Sequence, residues 1–399
     1  MQGRRSSTAF TIVVTVVMLV CAAAMGLLLL ISGAPGALVT GLLLALVPVG
    51  PLIAVYMWLD RYEPEPRSLL VLGLGWGAFV ATSGALVLQL FDTLIFEPTD
   101  VSMATIVAPI TEEAVKGLFI LLLLFYRRNE LDGVLDGLVY AGMVGIGFAF
   151  TENILYLASA YMGGENQAGG IGSAVGLFVA RCIFAPFAHP FFTSFIGIGI
   201  GIAVGARRRD VRVLAPLIGY VVAVGVHSAW NGSLLLDDGR NAVTTYIFLM
   251  VPAFLLLSGF AVWSRRREGA VLTTALGDCA RRGFLDPAEI PWLARIPARR
   301  FARRYAERAG GPPARRAMVG YQNAAVELGF LHSRYLRGVP PPDFELIGQA
   351  HVEAMRALRP ALLWPQPAGG GRPEQLPAVP SGPGGPGGPG RGYGSGARQ

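Results

Sequence analysis

The chain is almost without lysine: of its 33 basic residues, 32 are arginine, and the one lysine is Lys116. Charge is scarce altogether. Asp, Glu, Lys and Arg make up 15% of the residues, where soluble domains carry about a quarter, so an ordinary water-soluble fold is excluded for most of the length. Cysteine is equally sparse. Cys21, Cys182 and Cys279 form no Cys-x-x-Cys pair and no Cys/His zinc spacing, which leaves neither a disulfide framework nor a zinc finger. The apolar/polar alternation of a membrane barrel is missing. No nucleic-acid module is present, and nucleic acid is not expected as a partner.

Long apolar runs are abundant. Hydrophobic residues reach 53% and the mean hydropathy is +0.51, and runs long enough to cross a bilayer recur through the first two thirds. We expect an all-α polytopic protein of the cell membrane with about eight spans: 9–31, 36–59, 68–91, 101–126, 133–157, 172–206, 213–235 and 242–264. The first run is longer than the apolar core of a signal peptide and is expected to be retained. The sixth contains Pro186 and Pro190 and is expected to kink or break. Arginine separates the loops. Arg4 and Arg5, Arg61 and Arg67, Arg127 and Arg128, Arg207 to Arg209 with Arg212, and Arg265 to Arg267 fall on one side, while the alternate loops hold only Arg240. The positive-inside rule then puts both termini in the cytoplasm.

Composition divides the chain into three. Residues 1–264 form the transmembrane domain, with 13 basic and 16 acidic side chains. Residues 265–365 hold most of the basicity and are expected to be a small helical cytoplasmic region. There Tyr321, Ala324, Ala325, Leu328 and Leu331 recur at helical spacing, as a packed core does. Arg299, Arg300, Arg303 and Arg304 form either a solvated face or a contact with anionic headgroups. His332 and His351 lack ligand spacing and read as surface or packing residues. Residues 366–399 are rich in Gly and Pro, and such a tail is expected to be disordered.

The informative residues are the ionisable ones inside apolar runs. Lys116 shares the middle of its segment with Glu112 and Glu113, and each charge at such a depth costs about 2.5–3.5 kcal/mol on insertion scales. Glu112 and Lys116 are four apart and share a helix face, with Glu113 an i,i+3 neighbour. An exposed ion pair on a soluble helix would need a polar face, and the flanking residues leave none. A pair that only joins two helices stays open. Three further segments carry Glu152 with Asn153, His189, and His227 with Asn231. At 1.5 Å per residue, Glu112, His227 and Glu152 lie ~16, ~12 and ~8 Å from the outer ends of their helices, which suits one polar cluster in the outer half of the bilayer.

Such a set can hydrolyse a peptide bond. The reaction needs a base for water, an electrophilic group and donors for the oxyanion. One of Glu112 and Glu113 would be the base, the other would pair with Lys116, and Asn231 or a histidine would be the donor. Alternatively Glu152, His189 and His227 would bind Zn²⁺ and so activate the water. Both mechanisms, metal-dependent and metal-free glutamic, stay open. Ser228 is a poor nucleophile candidate, because adjacent helix residues do not share a face.

Five motifs in order carry a family resemblance: Asp60-Arg61-Tyr62-Glu63-Pro64-Glu65-Pro66, Glu112-Glu113-Ala114-Val115-Lys116, Phe148-Ala149-Phe150-Thr151-Glu152-Asn153, His189-Pro190-Phe191-Phe192 and His227-Ser228-Ala229-Trp230-Asn231. Over about residues 50–264 the chain resembles the PrsW family of bacterial intramembrane proteases, distant relatives of the CAAX-processing and bacteriocin-processing membrane proteases. The resemblance implies cleavage of a single-pass membrane protein near its extracytoplasmic side, an anti-sigma factor in the characterised case, in a regulated signalling cascade. In the CAAX-type enzymes a histidine stands where this chain has Glu152, with His189 additional, so roles do not transfer directly. The alternative from another class is a proton-coupled transporter or channel with a Glu/His relay. Such proteins often contain inverted repeats, and none is visible.

The arginine asymmetry makes a topological prediction. Reporter fusions at Phe96, Glu165 and Asp238 should report the outside, and fusions at Pro64, Asn129, Arg209 and Arg300 the cytoplasm. An outside signal from Arg300 would overturn the orientation.

Overall fold

The computed structural model describes residues 2–31, 34–62, 64–127, 130–164, 168–236 and 240–365. The 366–399 tail lies outside them. Every expected apolar segment is helical, and no β-strand occurs among the described residues. The long helical elements are α1 (Gln2–Ile31), α2 (Pro35–Leu59), α3 (Arg67–Phe96), α4 (100–126), α5 (Val134–Met162), α6 (Ile171–Gly205), α7 (Arg209–Leu235) and α8 (Ala242–Arg281). Seven of them are long and apolar enough to cross a membrane; α4 matches their length but carries Glu112, Glu113 and Lys116 in its middle. The protein is thus an all-α multi-pass membrane protein.

The core forms around α5. Of its most apolar stretch 89% of the residues are buried, against 50% or less in the other six helices long and apolar enough to cross a membrane, so α5 is the axis of the bundle. Small residues permit this. A Cβ at Gly145 would lie 2.6 Å from the backbone nitrogen of Pro190, and one at Gly147 would lie 1.9 Å from the Leu74 carbonyl oxygen. Only glycine lets α3 and the second half of α6 come this close, as in small-residue packing of membrane helices generally.

Proline sets the irregularities. Four π-helical turns interrupt the bundle: Trp76–Ala81, Met103–Val107, Val179–Phe184 and Tyr246–Met250. Three of them run into Pro109, Pro186 and Pro252, each of which lacks the N–H that would continue the i→i−4 ladder. The expected break in α6 is present. Helix α6a (171–184) stops, Ala185 to Phe187 are not helical, and α6b (Ala188–Gly205) starts again with Pro190 in its first turn, where a missing N–H costs little.

Helix α8 runs through the expected 264/265 boundary without a break and enters a second core with α9 (Ile290–Ala294), α10 (Ile296–Leu336, kinked at Gly311) and α11 (Phe344–Leu358). Tyr321, Ala324, Ala325, Leu328 and Leu331 are all buried. Of the four arginines read as a solvated or headgroup-facing cluster, Arg299 is instead buried and donates to the carbonyls of Leu293 and Tyr62. The loop after α2 thus meets the second core through the Tyr62 carbonyl. Asp60 accepts from the Glu65 amide at 3.0 Å and Glu65 accepts from Tyr140 at 2.6 Å. Burial pushes Asp60 up to about 7, and burial with the nearby Asp136 carboxylate raises Glu65 well above the usual carboxylate range.

The close approach at Gly145 has a measurable consequence. Gly145→Ala should lower the thermal midpoint in detergent by the equivalent of about 1–3 kcal/mol, the cost of overpacking. Gly50→Ala, where a Cβ meets nothing within 4 Å, should leave the midpoint unchanged or raise it.

Candidate active site

Four helices bring their ionisable residues to one place. Lys116 is fully buried, and its ammonium lies 2.8 Å from Glu113 Oε1, 3.4 Å from Glu112 Oε2 and 3.2 Å from His189 Nδ1. The Phe148 ring covers it, with the centroid 3.9 Å from Nζ. A protonated lysine has three N–H donors and no acceptor, so the three polar neighbours use its full capacity. The aromatic face adds a cation–π contact.

The partners fix both histidine tautomers. Lys116 can only donate to His189 Nδ1, so that nitrogen carries the lone pair and Nε2 carries the proton. His189 Nε2 accordingly donates to Glu152 Oε2 at 2.7 Å. His227 has the opposite arrangement: Nδ1 donates to Glu113 Oε1 at 3.1 Å, and Nε2 lies 3.9 Å from Glu112 Oε2. Phe192 stacks on the His227 ring with centroids 4.5 Å apart. The two ring centroids are 5.4 Å apart and nearly perpendicular. Glu113 is saturated, since Oε1 takes Lys116 and His227 while Oε2 accepts from Thr193 Oγ1 at 2.9 Å. Glu112 is engaged only through Oε2.

Glu112, His189 and His227 each offer a ligand atom within 4.8 Å of the other two. They are the residues that could hold a metal ion. Glu152 is not part of this group. It lies behind His189, where it also accepts from Arg181 Nη2, while Arg181 Nε donates to Asn153 Oδ1 at 2.8 Å. Of the expected set Glu152, His189 and His227, the two histidines fall in this group and Glu152 does not.

Asn231 has a backbone partner. The Ala108 amide reaches back to the Met103 carbonyl across the π turn, and Pro109 has no N–H, so the Ala104 carbonyl loses its helical donors. Asn231 Nδ2 supplies one at 2.9 Å. This ties α7 to the π turn of α4.

The family model described as PrsW family intramembrane metalloprotease matches residues 65–257. Among curated proteins, the Protease PrsW of Clostridioides difficile is 32% identical over 215 residues, covering 52% of this chain and 85% of that protein. The chain belongs to the PrsW family. Its members are membrane peptidases, and peptide-bond hydrolysis takes the place of the transporter alternative. The Bacillus subtilis Protease PrsW is 24% identical over 228 residues, covering 55% of this chain and 91% of the relative. The Geobacillus kaustophilus Protease PrsW is 29% identical over 156 residues, covering 39% and 63%, so in that case the match spans less than two thirds of the relative. No solved structure matches the chain.

Within this PrsW chain the structure brings Glu112, Glu113, Lys116, His189 and His227 into one cluster, with Glu152 and Asn153 against its outer edge and Asn231 on α4's bend. Two contributors were missed from sequence. Arg181 is an arginine inside an apolar run, a signal as legible as the acidic residues. Thr193 is four residues after His189 and carries no sequence signal beyond that spacing.

Removing one partner of a buried ion pair strands the other, at about 3–5 kcal/mol. Lys116→Met should therefore cost that much in thermal or denaturant unfolding, and adding Glu113→Gln should restore part of the loss. Equal stability of Lys116→Met and the parent protein would mean that the carboxylates are solvated or neutral.

Proposed function

We propose that the chain is an intramembrane endopeptidase in which Glu112, His189 and His227 converge on the water and carbonyl that react. One observation carries this reading. The two histidines have opposite tautomers, each with its proton given to a carboxylate behind it, Glu152 for His189 and Glu113 for His227. Of the remaining nitrogens, His227 Nε2 faces Glu112 Oε2 at 3.9 Å, and His189 Nδ1 would act with Glu112 by exchanging the Lys116 ammonium it now accepts from. Histidines backed by carboxylates in this way are common at metal centres. The donor types also fit zinc, which favours His and Glu with a fourth position open. With both histidines neutral, Glu112, Glu113 and Glu152 outnumber Lys116 and Arg181 by one charge, which favours a cation. A metal held by Glu112, His189 and His227 would polarise the scissile carbonyl and lower the pKa of water.

The protein's own groups prepare the rest. Glu113 and Glu152 hold the imidazoles, Phe192 and Phe148 exclude water from their faces, and Lys116 bridges Glu112 and Glu113. A metal-free reading draws on one contact: the Lys116 ammonium lies 3.2 Å from His189 Nδ1. In that reading Glu112, the carboxylate with an oxygen to spare, takes the proton from water. The substrate in either case is a membrane protein that crosses the bilayer once, an anti-sigma factor by analogy with the characterised family case. It is cut near the extracytoplasmic side, with eight spans and both termini inside.

Cleavage assays on a leucine-rich single-span peptide with an Ala-Ser-Gly-Ser stretch in its outer half separate these readings. Glu112→Gln, His189→Ala and His227→Ala should each lower kcat/KM by at least about a hundredfold, whereas removing a single oxyanion donor costs about a hundred- to a thousandfold. Exhaustive chelation should abolish cleavage and Zn²⁺ should restore it. Full activity after chelation selects the metal-free reading, and normal cleavage by Glu112→Gln rules out both.

A further inference from the structure

Arg181 is charged, lies in the π turn that ends α6a, and touches none of the three converging residues. Its side chain is 24% exposed, and its guanidinium rests on the Tyr156 ring, 4.2 Å from the centroid. Two of its nitrogens reach α5: Nη2 donates to Glu152 Oε2 and Nε donates to Asn153 Oδ1. The same Glu152 oxygen accepts from His189 Nε2. Arg181, Glu152 and His189 therefore form a chain that begins on α6a, crosses to α5 and returns to α6b on the far side of the break at Ala185 to Phe187.

We propose that Arg181 is a positioning residue of the peptidase. It holds Glu152 so that the carboxylate accepts from His189 Nε2 and fixes the orientation of the ring whose Nδ1 accepts from Lys116. The proposal rests on the reading of His189 as a reacting-site residue. The physical reason is specific to this place. A lone carboxylate in the membrane is costly, and a carboxylate that turned away would cease to hold the imidazole in one orientation. A guanidinium fork fixes direction as well as charge. Its second prong, on Asn153, fixes the neighbouring residue of the same helix turn. The π turn is what aims Arg181 at α5, because the extra residue rotates the end of α6a relative to a regular helix.

Substitution separates positioning from packing and from substrate binding. In the peptide assay above, Arg181→Gln should lower kcat about 10- to 100-fold, the usual effect of losing a carboxylate–histidine support, with KM within about threefold on the same grounds. Arg181→Lys keeps the charge but not the fork and should recover only part of the loss. In a Glu152→Gln background the further effect of Arg181→Gln should be under about twofold, because the residues act as one unit. A readout independent of catalysis is the imidazole ¹⁵N spectrum of histidine-labelled full-length protein, which has four histidines. His189 should keep the Nε2–H tautomer in both proteins, because Lys116 still donates to Nδ1, while its Nε2–H resonance shifts in Arg181→Gln as the bond to Glu152 loosens. An unchanged His189 Nε2–H resonance, multiplicative losses in the double variant, or a rise in KM alone would overturn the proposal. Failure of the peptidase reading is distinct, since it would leave the parent protein unable to cut while the resonance shift in Arg181→Gln persisted.

Discussion

A charge in hydrocarbon must find a partner or be neutralised, and this constraint organises the membrane part of the protein. Lys116 is its central case. With no water to solvate the ammonium, Glu112, Glu113, His189 and the Phe148 face surround it. Those groups belong to three helices, so satisfying one lysine fixes the mutual position of α4, α5 and α6b. Buried ion pairs contribute little net stability compared with apolar packing. Their effect here is specificity: any other arrangement of these helices would leave a charge unpaired.

The backbone is shaped to deliver the side chains. Glycines on α5 let α6b and α3 approach to backbone contact, and His189 enters the cluster because α6b starts at that depth. The prolines do two things. They bend α4 and break α6, and they leave carbonyls that side chains from other helices must satisfy. Asn231 on the Ala104 carbonyl is one such repair. Tyr246 on the Phe184 carbonyl, at 2.7 Å, is another, at the end of α6a. The irregular turns thus gather near the polar residues, as is common for π-bulges at functional sites.

Much of this was legible in the sequence, for physical reasons. Hydropathy located the helices because lipid requires satisfied backbones and apolar surfaces. Lys116, Glu112, Glu113, His189 and His227 stood out because ionisable groups inside apolar runs are rare, and the break in α6 followed from Pro186. Side-chain pairing across helices was not legible. Glu152 and Glu112 both lie within reach of His189 along the bilayer normal, and only the lateral packing decides that Glu152 is behind the ring and Glu112 beside it. The hydrogen bond of Asn231, read from sequence as a candidate oxyanion donor, goes to a carbonyl released by a π turn, which no spacing rule signals. Arg181 was legible and passed over. The Asp60–Pro66 motif was read only as part of the family resemblance, and the contact of its Tyr62 carbonyl with Arg299, more than two hundred residues away, carries no signal in the sequence.

The account turns on which carboxylate joins the two histidines. Metal analysis of purified protein after zinc loading and removal of free ion tests this most directly. The geometry predicts one bound ion per chain, lost in Glu112→Gln and in His227→Ala and retained in Glu152→Gln. Loss in Glu152→Gln with full retention in Glu112→Gln would contradict it.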